Sequence, residues 1–175
     1  MKVINTKFKD LKIIQQKKYE DKRGNLRVTF IKKIIKWNKL VFDYATISKK
    51  NVLRGFHFQS KFKQAKFVTV LKGKIFDCVI DLRRFSKTFG KSFGIELSEK
   101  NCLSLYIPEG FAHAYYSYEK LNIIYYKLSN YYHPKFEDGL LWNDKSFNIN
   151  WPSKRPLVSK KDMNAISFKD FKSDF

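Results

Sequence analysis

Cysteine and proline are scarce in this chain of 175 residues. The two cysteines, Cys78 and Cys102, stand far apart and form no CxxC pair, so we expect buried or half-buried thiols with no redox or metal role. The four prolines all lie in the second half, and no internal repeat or linker rich in Pro, Gly or Ser divides the chain. We therefore predict one domain, residues 1–175, long enough to bury a sizeable core.

Long apolar runs and several common enzyme motifs are absent as well. No run approaches the roughly 20 apolar residues of a transmembrane helix, and residues 1–7 lack the apolar region of a signal peptide. The sequence thus predicts a cytoplasmic protein without a membrane partner. It has no Walker loop, no GxGxxG after a strand and no GxSxG, which argues against the common nucleotide hydrolases, dehydrogenases and serine hydrolases.

Acidic residues are few, since 16 Asp and Glu stand against 36 Lys and Arg, for a net charge of +20. Such a charge suggests a nucleic-acid interpretation. The basic residues, however, are mostly lysines and are spread along the whole chain rather than clustered. We therefore predict a lysine-rich surface and no nucleic-acid partner. The basic field instead suits an anionic small ligand that carries phosphate groups.

Aromatic residues, by contrast, make up 17% of the chain, and they favour β-strands. Strand-like segments recur at short intervals, and two of them, 65–71 and 74–80, flank a Lys72-Gly73 turn that predicts a β-hairpin. A short helix is expected within residues 162–175. The pattern fits an all-β, antiparallel jelly-roll barrel with a ligand pocket in its mouth. The predicted strands are 11–15, 26–31, 40–48, 52–59, 65–71, 74–80, 93–97, 103–107, 112–117 and 121–128.

Three polar or charged residues interrupt these apolar strands. His57 lies in the alternating segment 52–59, with Arg54 on the opposite face of the same strand. It is either a satisfied core histidine or an acid–base group that faces the barrel interior. Lys66 shares its strand face with two valines, so it either reaches out to solvent or places a cation in the pocket. Asp77 is either an edge-strand charge or the partner of an inward lysine.

Other candidates for chemistry lie later in the chain. His113 follows the turn at 108–111 and is either a loop-edge residue or a second pocket histidine. The tyrosine pairs 125–126 and 131–132 are either core residues or include a general acid. An HxH metal motif would need a second histidine where Gln59 stands. The ligand set is therefore too poor for a divalent metal site, and we predict neither a metal nor another cofactor.

Together, these segments resemble the dTDP-4-dehydrorhamnose 3,5-epimerase family, metal-free members of the cupin jelly-roll class that act on nucleotide-linked 4-keto-6-deoxy sugars. The resemblance runs from about residue 19 to residue 162 and is specific because all the segments occur in order. The segments are DKRG at 21–24, VLRGFHFQ at 52–59, KFV at 66–68, Gly73, FD at 76–77, DLRR at 81–84, TFG at 88–90, IPEGFAH at 107–113, Tyr126 with Tyr131-Tyr132, WND at 142–144, WP at 151–152 and SKKD at 159–162.

The resemblance implies an epimerase that works by proton abstraction, enolate formation and reprotonation. His57 matches the family's base, and Asp162 matches the carboxylate that pairs with it. Lys66 matches the lysine that stabilises the enolate oxygen, and Asp77 would orient that lysine by a charged hydrogen bond. Tyr126 matches the proton donor on the opposite face of the sugar.

The resemblance also implies the substrate-binding residues and a homodimer. Arg23 and Arg54 match arginines that meet the diphosphate and the sugar. His113 matches a second pocket histidine, Tyr132 matches an aromatic near the nucleotide, and we assign Gln59 to the same substrate-binding set. Because the family exchanges N-terminal strands across its dimer, Arg23 is expected to act in the neighbouring subunit's pocket. The products of the family usually enter cell-surface polysaccharide.

The chain departs from the family at the nucleotide end of the pocket. Leu26 and Val28 stand where the family has an aromatic and a glutamate, and Phe-Asp-Tyr at 42–44 replaces a Gln-Asp-Asn pattern. We therefore hypothesise a base other than thymine, as in a GDP-linked sugar. Three alternatives stay open: an epimerase that inverts only C3 or only C5, a cupin 3,4-ketoisomerase, and a non-catalytic barrel that binds sugar nucleotides or nucleic acid.

Overall fold

The computed structural model describes residues 1–175 and consists largely of β-strands, with one α-helix of four residues near the end of the chain. It has no helix with the length and hydrophobicity that crossing a bilayer requires. The elements are β1 Lys2–Asn5, β2 Lys12–Gln15, β3 Lys17–Asp21, β4 Gly24–Val28, β5 Phe42–Ser48, β6 Leu53–Gln59, β7 Lys66–Lys72, β8 Lys74–Asp81, β9 Ser92–Ser98, β10 Leu103–Ile107, β11 Phe111–Ser117, β12 Asn122–Leu128, β13 Glu137–Gly139 and α1 Lys160–Met163.

Eleven of the strands form two antiparallel sheets that face each other. The six-stranded sheet has the order β1-β2-β10-β7-β12-β5, and the five-stranded sheet has the order β13-β6-β11-β8-β9. The remaining two strands, β3 and β4, form a separate hairpin. This arrangement confirms the predicted all-β jelly-roll barrel with a short C-terminal helix.

The main core lies between the two sheets, and the alternation of side chains along each strand explains which residues enter it. On β7, Val68 and Val70 are fully buried in a cluster that residues of both sheets form, whereas Phe67 points outward into a different cluster. Burying such side chains stabilises the fold by about 1.5–3 kcal/mol each. Lys66 shares the face of the two valines, as the sequence pattern predicted, and this face points inward, so Lys66 lies at the end of this core.

Each sheet is also covered on its outer face. Residues 30–40 supply Ile35, which packs over Phe67 and Tyr106 of the six-stranded sheet. The C-terminal segment covers the five-stranded sheet with a set of aromatic rings: Phe147, Trp151, Phe168, Phe171 and Phe175. Because both faces of the five-stranded sheet are covered, every residue of β11 is buried.

The turn at Gly73 joins two strands that do not pair with each other, so the predicted hairpin is wrong. β7 pairs with β10 and β12, whereas β8 pairs with β9 and β11 in the other sheet. Gly73 has a φ of +82°, and a Cβ there would lie 2.5 Å from the backbone oxygen of Leu121. A Lys-Gly pair between apolar runs specifies a sharp turn, but it does not specify which sheet each strand joins.

Three strands were not predicted, and each lacks the usual signal. β1 is a short edge strand, β3 is a run of charged residues around Tyr19, and β13 has only three residues. The β3–β4 hairpin is mostly exposed, and its Tyr19 and Leu26 are 56% and 62% exposed.

Candidate active site

A cavity of about 330 Å³ opens at one end of the barrel, between the two sheets. Its size lies at the lower end of the range for small-molecule sites, about 300–1,000 Å³. Both sheets contribute polar side chains to the cavity. Packing of the apolar core does not require these polar groups. The lining residues are Phe42, Tyr44, Thr46, Arg54, His57, Phe58, Gln59, Gln64, Lys66, His113, Tyr115, Tyr126, Leu128, Tyr132 and Glu137.

His57 and Asp162 form a hydrogen-bonded pair on the wall made by the five-stranded sheet. Nε2 of His57, on β6, lies 2.7 Å from Oδ1 of Asp162, on α1. The other carboxylate oxygen accepts a hydrogen bond from the backbone N–H of Gly55 at 3.2 Å. Ser159 caps α1 by accepting from the backbone N–H of Asp162, which fixes where the carboxylate lies.

The electrostatics of this pair suit a histidine base. Although burial opposes ionisation of Asp162, the hydrogen bond and charge of His57 lower the pKa of that carboxyl below its usual value. An ionised Asp162 accepts the Nε2–H proton, so the unprotonated nitrogen of a neutral His57 is Nδ1. The carboxylate also stabilises the imidazolium that forms when Nδ1 takes up a proton.

A bulge in β6 brings Arg54 to the same cavity as His57. Opposite β11, His57 pairs with His113 and Arg54 pairs with Tyr115, so three steps along β6 match two steps along β11. The extra residue shifts the alternation of side chains. The assignment of Arg54 and His57 to opposite faces, made from a strict period of two, is therefore wrong. Nε of Arg54 donates to Oγ of Ser48 at 3.1 Å, which anchors the guanidinium at the wall.

Lys66 supplies a buried cation to the cavity. The residue is only 8% exposed, and its Nζ donates to the backbone oxygen of His57 at 3.3 Å. Burial lowers the pKa of Lys66 to about 8, although the negative charges of Glu137 and Asp77 oppose the shift. At neutral pH the lysine is therefore still charged, although it is largely buried.

Asp77 pairs with His113 and makes no hydrogen bond to Lys66, which corrects the expectation from the sequence. Oδ2 of Asp77 lies 2.8 Å from Nε2 of His113, and both side chains are buried. The register explains the pairing. Asp77 on β8 lies opposite Tyr115 on β11, and His113 is the diagonal neighbour on the same face. Lys66 belongs to the opposite sheet, and Asp77 acts on it only through its charge.

Tyr126 faces the cavity from the wall made by the six-stranded sheet. It is 3% exposed, and burial raises its pKa well above the usual value for a phenol, so it stays protonated at neutral pH. Its ring packs against His113, with the two ring centroids 5.9 Å apart. The candidate base His57 and the candidate acid Tyr126 thus stand on opposite walls of one cavity.

The mouth of the cavity holds Tyr132 and a carboxylate that the sequence did not single out. Glu137 accepts hydrogen bonds from the Tyr132 hydroxyl, at 2.9 Å, and from Lys161. Although burial opposes ionisation, these hydrogen bonds lower the pKa of Glu137. The sequence pattern did not indicate Glu137 because the residue lies in a strand of only three residues. Its pairing with Gln59 on β6 brings it to the site.

Gln59 lines the cavity, but its side chain is engaged with the neighbouring loops. Its Nε2 donates to the backbone oxygens of Phe62 and Tyr131, at 2.8 and 3.2 Å, and its Oε1 accepts from the backbone N–H of His133 at 2.7 Å. These bonds use both kinds of group on the amide. The predicted substrate-binding residue therefore braces the loop that carries Tyr132.

Arg23 is the one predicted site residue that lies away from the cavity. It stands at the tip of the β3–β4 hairpin, with its side chain 90% exposed and paired with Asp21 at 2.7 Å. The structure also contains no cluster of three or more His, Cys, Asp or Glu side chains arranged to bind a metal ion. Within one chain, the cavity thus gathers the other predicted residues, with Asp77 and Asp162 behind its wall.

Comparison with known proteins places the chain in a family. The model of the dTDP-4-dehydrorhamnose 3,5-epimerase family matches residues 5–170. Two enzymes of that name, from Shigella flexneri and Salmonella typhimurium, are 40% and 41% identical to the chain, over 97% and 94% of both sequences.

A solved structure shares the same fold. The dTDP-6-deoxy-D-glucose-3,5-epimerase of Legionella pneumophila, in complex with dTDP-4-keto-L-rhamnose, superposes with a TM-score of 0.94 at 37% identity, covering 98% of this chain and 94% of the other. The sequence match and the fold agree over nearly the whole chain. This protein belongs to the dTDP-4-dehydrorhamnose 3,5-epimerase family.

Proposed function

We propose that this chain is a nucleotide-sugar epimerase that inverts C3 and C5 of a dTDP-linked 4-keto-6-deoxy sugar, with residues 1–175 acting as one domain. The complex of the Legionella relative with dTDP-4-keto-L-rhamnose supports the substrate class. The observation that carries the proposal is the geometry of the cavity, in which the His57–Asp162 pair and Tyr126 stand on opposite walls. The cytoplasmic location and the destination in surface polysaccharide stay predictions.

In the first step, Nδ1 of His57 removes a proton from a carbon next to the ketone. The electron pair of the broken C–H bond forms the C=C bond of an enolate, and the negative charge moves to the ketone oxygen. Asp162 stabilises the imidazolium that results. Positioned acid–base groups of this kind contribute about 10²–10⁴-fold to a rate.

The enolate oxygen needs positive charge in a site that excludes water. Lys66 is the buried cation that lines the cavity, and its ammonium group suits this role. The His113–Asp77 pair adds a second hydrogen-bonding group, because His113 also lines the cavity. Each such interaction is expected to strengthen as charge develops on the oxygen, so it acts mainly on the transition state.

In the second step, Tyr126 returns a proton to the same carbon from the other face. The enolate C=C bond breaks as the new C–H bond forms, the ketone is restored, and the centre is inverted. The phenolate and the imidazolium then exchange protons with water to regenerate the site. The raised pKa of Tyr126 keeps its phenol protonated until the phenol donates its proton to the carbanion-like carbon of the enolate.

We further propose that Arg54 meets the diphosphate or sugar in its own cavity and that Arg23 reaches the cavity of a second copy, in a homodimer with exchanged N-terminal strands. Guanidinium groups bind phosphate oxygens in a bidentate manner. The exposed β3–β4 hairpin, with its apolar Tyr19 and Leu26, supports an association through this segment. The position of Arg23 outside its own cavity supports the same idea.

Mixed dimers test the origin of Arg23. Arg23→Ala and His57→Ala chains are co-expressed with different affinity tags, and the heterodimer is isolated. If Arg23 serves the partner's cavity, one of the two cavities has both side chains intact, and about half the parent activity returns. If Arg23 serves its own cavity, both cavities are defective and activity stays absent. A monomer in solution contradicts the dimer directly.

The function is tested by solvent exchange. The protein is incubated in D₂O with dTDP-4-keto-6-deoxy-D-glucose and, in parallel, with the UDP-, CDP- and GDP-linked 4-keto sugars, and deuterium at C3 and C5 is measured by NMR. We expect label at both carbons of the dTDP sugar and none with His57→Ala. Absence of exchange with all four substrates contradicts an epimerase. Preference for the UDP-, CDP- or GDP-linked sugar contradicts the proposed dTDP substrate and supports the sequence-based hypothesis of another base. Label at one carbon only contradicts inversion at both carbons and identifies a single-centre epimerase.

A further inference from the structure

Tyr44 forms a stacked pair with Tyr126 inside the cavity. The two residues lie directly opposite each other on β5 and β12, so their side chains share one face of the sheet. Their ring centroids are 4.8 Å apart and the ring planes meet at 22°, which is the closest parallel stacking among the aromatic side chains of the cavity. Tyr44 therefore covers one face of the ring that carries the candidate acid.

Tyr126 depends on such packing for its orientation. Burial and neighbouring charges determine its pKa, and no hydrogen bond from its hydroxyl to another side chain contributes. The ring of Tyr126 is instead held between Tyr44, which stacks on it, and His113, whose ring meets it at 67°. A phenol without a hydrogen-bond anchor is aimed by the groups that pack against its ring.

Tyr44 is itself supported toward the mouth of the cavity. Its ring lies 5.7 Å from that of Phe42, and Phe42 lies 6.2 Å from Tyr131. Tyr44 is 38% exposed and stands on β5, which is the edge strand of the six-stranded sheet. An edge position can change its residue with little effect on the core, so Tyr44 is suited to a role in the site rather than in the fold.

We propose that Tyr44 is a positioning residue that aims the phenol of Tyr126 at the reacting carbon and so sets the ratio of inversion to simple proton exchange. The inference rests on the proposed epimerase function and deepens it. When Tyr126 protonates the enolate, the centre inverts. When the His57 imidazolium, after exchange with solvent, returns a deuteron from the original face, the carbon is labelled without inversion. Misalignment of Tyr126 therefore decreases inversion and increases labelling with retention of configuration.

The experiment compares three variants in D₂O: Tyr44→Phe, which keeps the stacked ring, Tyr44→Ala, which removes it, and Ile47→Ala, a control on the exposed side of the same strand. For each, NMR measures label incorporated with inversion and label incorporated with retention at each carbon. A stacked aromatic pair contributes about three- to tenfold to an equilibrium. We expect Tyr44→Ala to lower the ratio of inversion to retention about three- to tenfold, mainly through kcat, and Tyr44→Phe and Ile47→Ala to match the parent.

Thermal unfolding of each variant shows whether it is folded, which separates misfolding from misalignment of Tyr126. A Tyr44→Ala protein that is folded and has an unchanged ratio of inversion to retention overturns the proposal. A Tyr44→Phe variant as impaired as Tyr44→Ala also overturns it, since the hydroxyl and not the stacked ring would then matter. Failure of the underlying function looks different, because the parent itself would then label no carbon.

Discussion

Replacing Lys66 by methionine is expected to stabilise the fold while it abolishes activity. Burial lowers the pKa of Lys66 from 10.5 to about 8. At about 1.4 kcal/mol per pKa unit, this shift means that the buried charge lowers the free energy of unfolding by about 3 kcal/mol at pH 7. Methionine has a similar length and no charge. Loss of the hydrogen bond to the backbone oxygen of His57 costs about 1 kcal/mol, so the net gain is about 2 kcal/mol.

The gain has a defined dependence on pH. Below about pH 8, Lys66 is charged in both the folded and the unfolded chain, so the full cost of burying the charge is present. Between about pH 8 and 10.5 the folded chain releases the proton first, so the unfolded chain binds more protons and the stability of the parent rises with pH. The advantage of Lys66→Met is therefore expected to shrink as the pH approaches 10.5.

Urea unfolding at pH 7 and near the alkaline end of this range measures both effects. Protein concentration is held constant, because any dimer makes apparent stability depend on it. Lys120→Met, at an exposed position in the β11–β12 turn, is the matched control. A Lys66→Met protein that is less stable than the parent at pH 7, or whose difference from the parent is the same at both pH values, refutes the reasoning. Retention of exchange activity refutes the role of Lys66.

Three further predictions concern other parts of the account. Asp162→Asn is expected to slow exchange about 100-fold at pH 7 in a kinetic assay, because His57 loses the charge that stabilises its imidazolium; a parent-like rate contradicts this. Glu137→Gln removes a negative charge that raises the pKa of Lys66, so the alkaline limb of the activity profile should move to lower pH, and an upward shift contradicts it. Gly73→Ala should cost about 1–3 kcal/mol in urea unfolding beyond Gly24→Ala, because both have positive φ but only Gly73 lacks space for a Cβ; equal costs contradict the steric argument.

The strand pattern predicted the fold class well because most strands carry apolar side chains in alternation or in short continuous runs. The sequence could not predict which sheet each strand joins. The turn at Gly73 illustrates this limit, since the local residues that make a hairpin also make a corner between sheets. β3 was missed because its charged residues lie on an exposed hairpin, where no buried face imposes a pattern.

Some features of the site were also predictable from the sequence, whereas others depend on how the strands pair. The sequence predicted that Lys66 shares a strand face with two valines, but it left open whether the side chain reaches solvent or enters the pocket, and the structure places it in the cavity. The shared placement of Arg54 and His57 depends on a bulge in β6, which a period of two cannot reveal. The pairing of Asp77 with His113, and the presence of Glu137 at the cavity, depend on registers between strands far apart in sequence. The family resemblance predicted His57 as the base and Asp162 as its carboxylate, whereas the stacking of Tyr44 on Tyr126 was visible only in the structure.

The most direct test of the central claim compares His57→Asn and Tyr126→Phe in D₂O with the same 4-keto nucleotide sugar. The claim is that His57 removes the proton from one face and Tyr126 returns one from the other. We predict that His57→Asn incorporates no deuterium above background, while Tyr126→Phe incorporates it with retention of configuration at the carbon that Tyr126 serves. Exchange by His57→Asn at the parent rate, or full inversion by Tyr126→Phe, contradicts the claim.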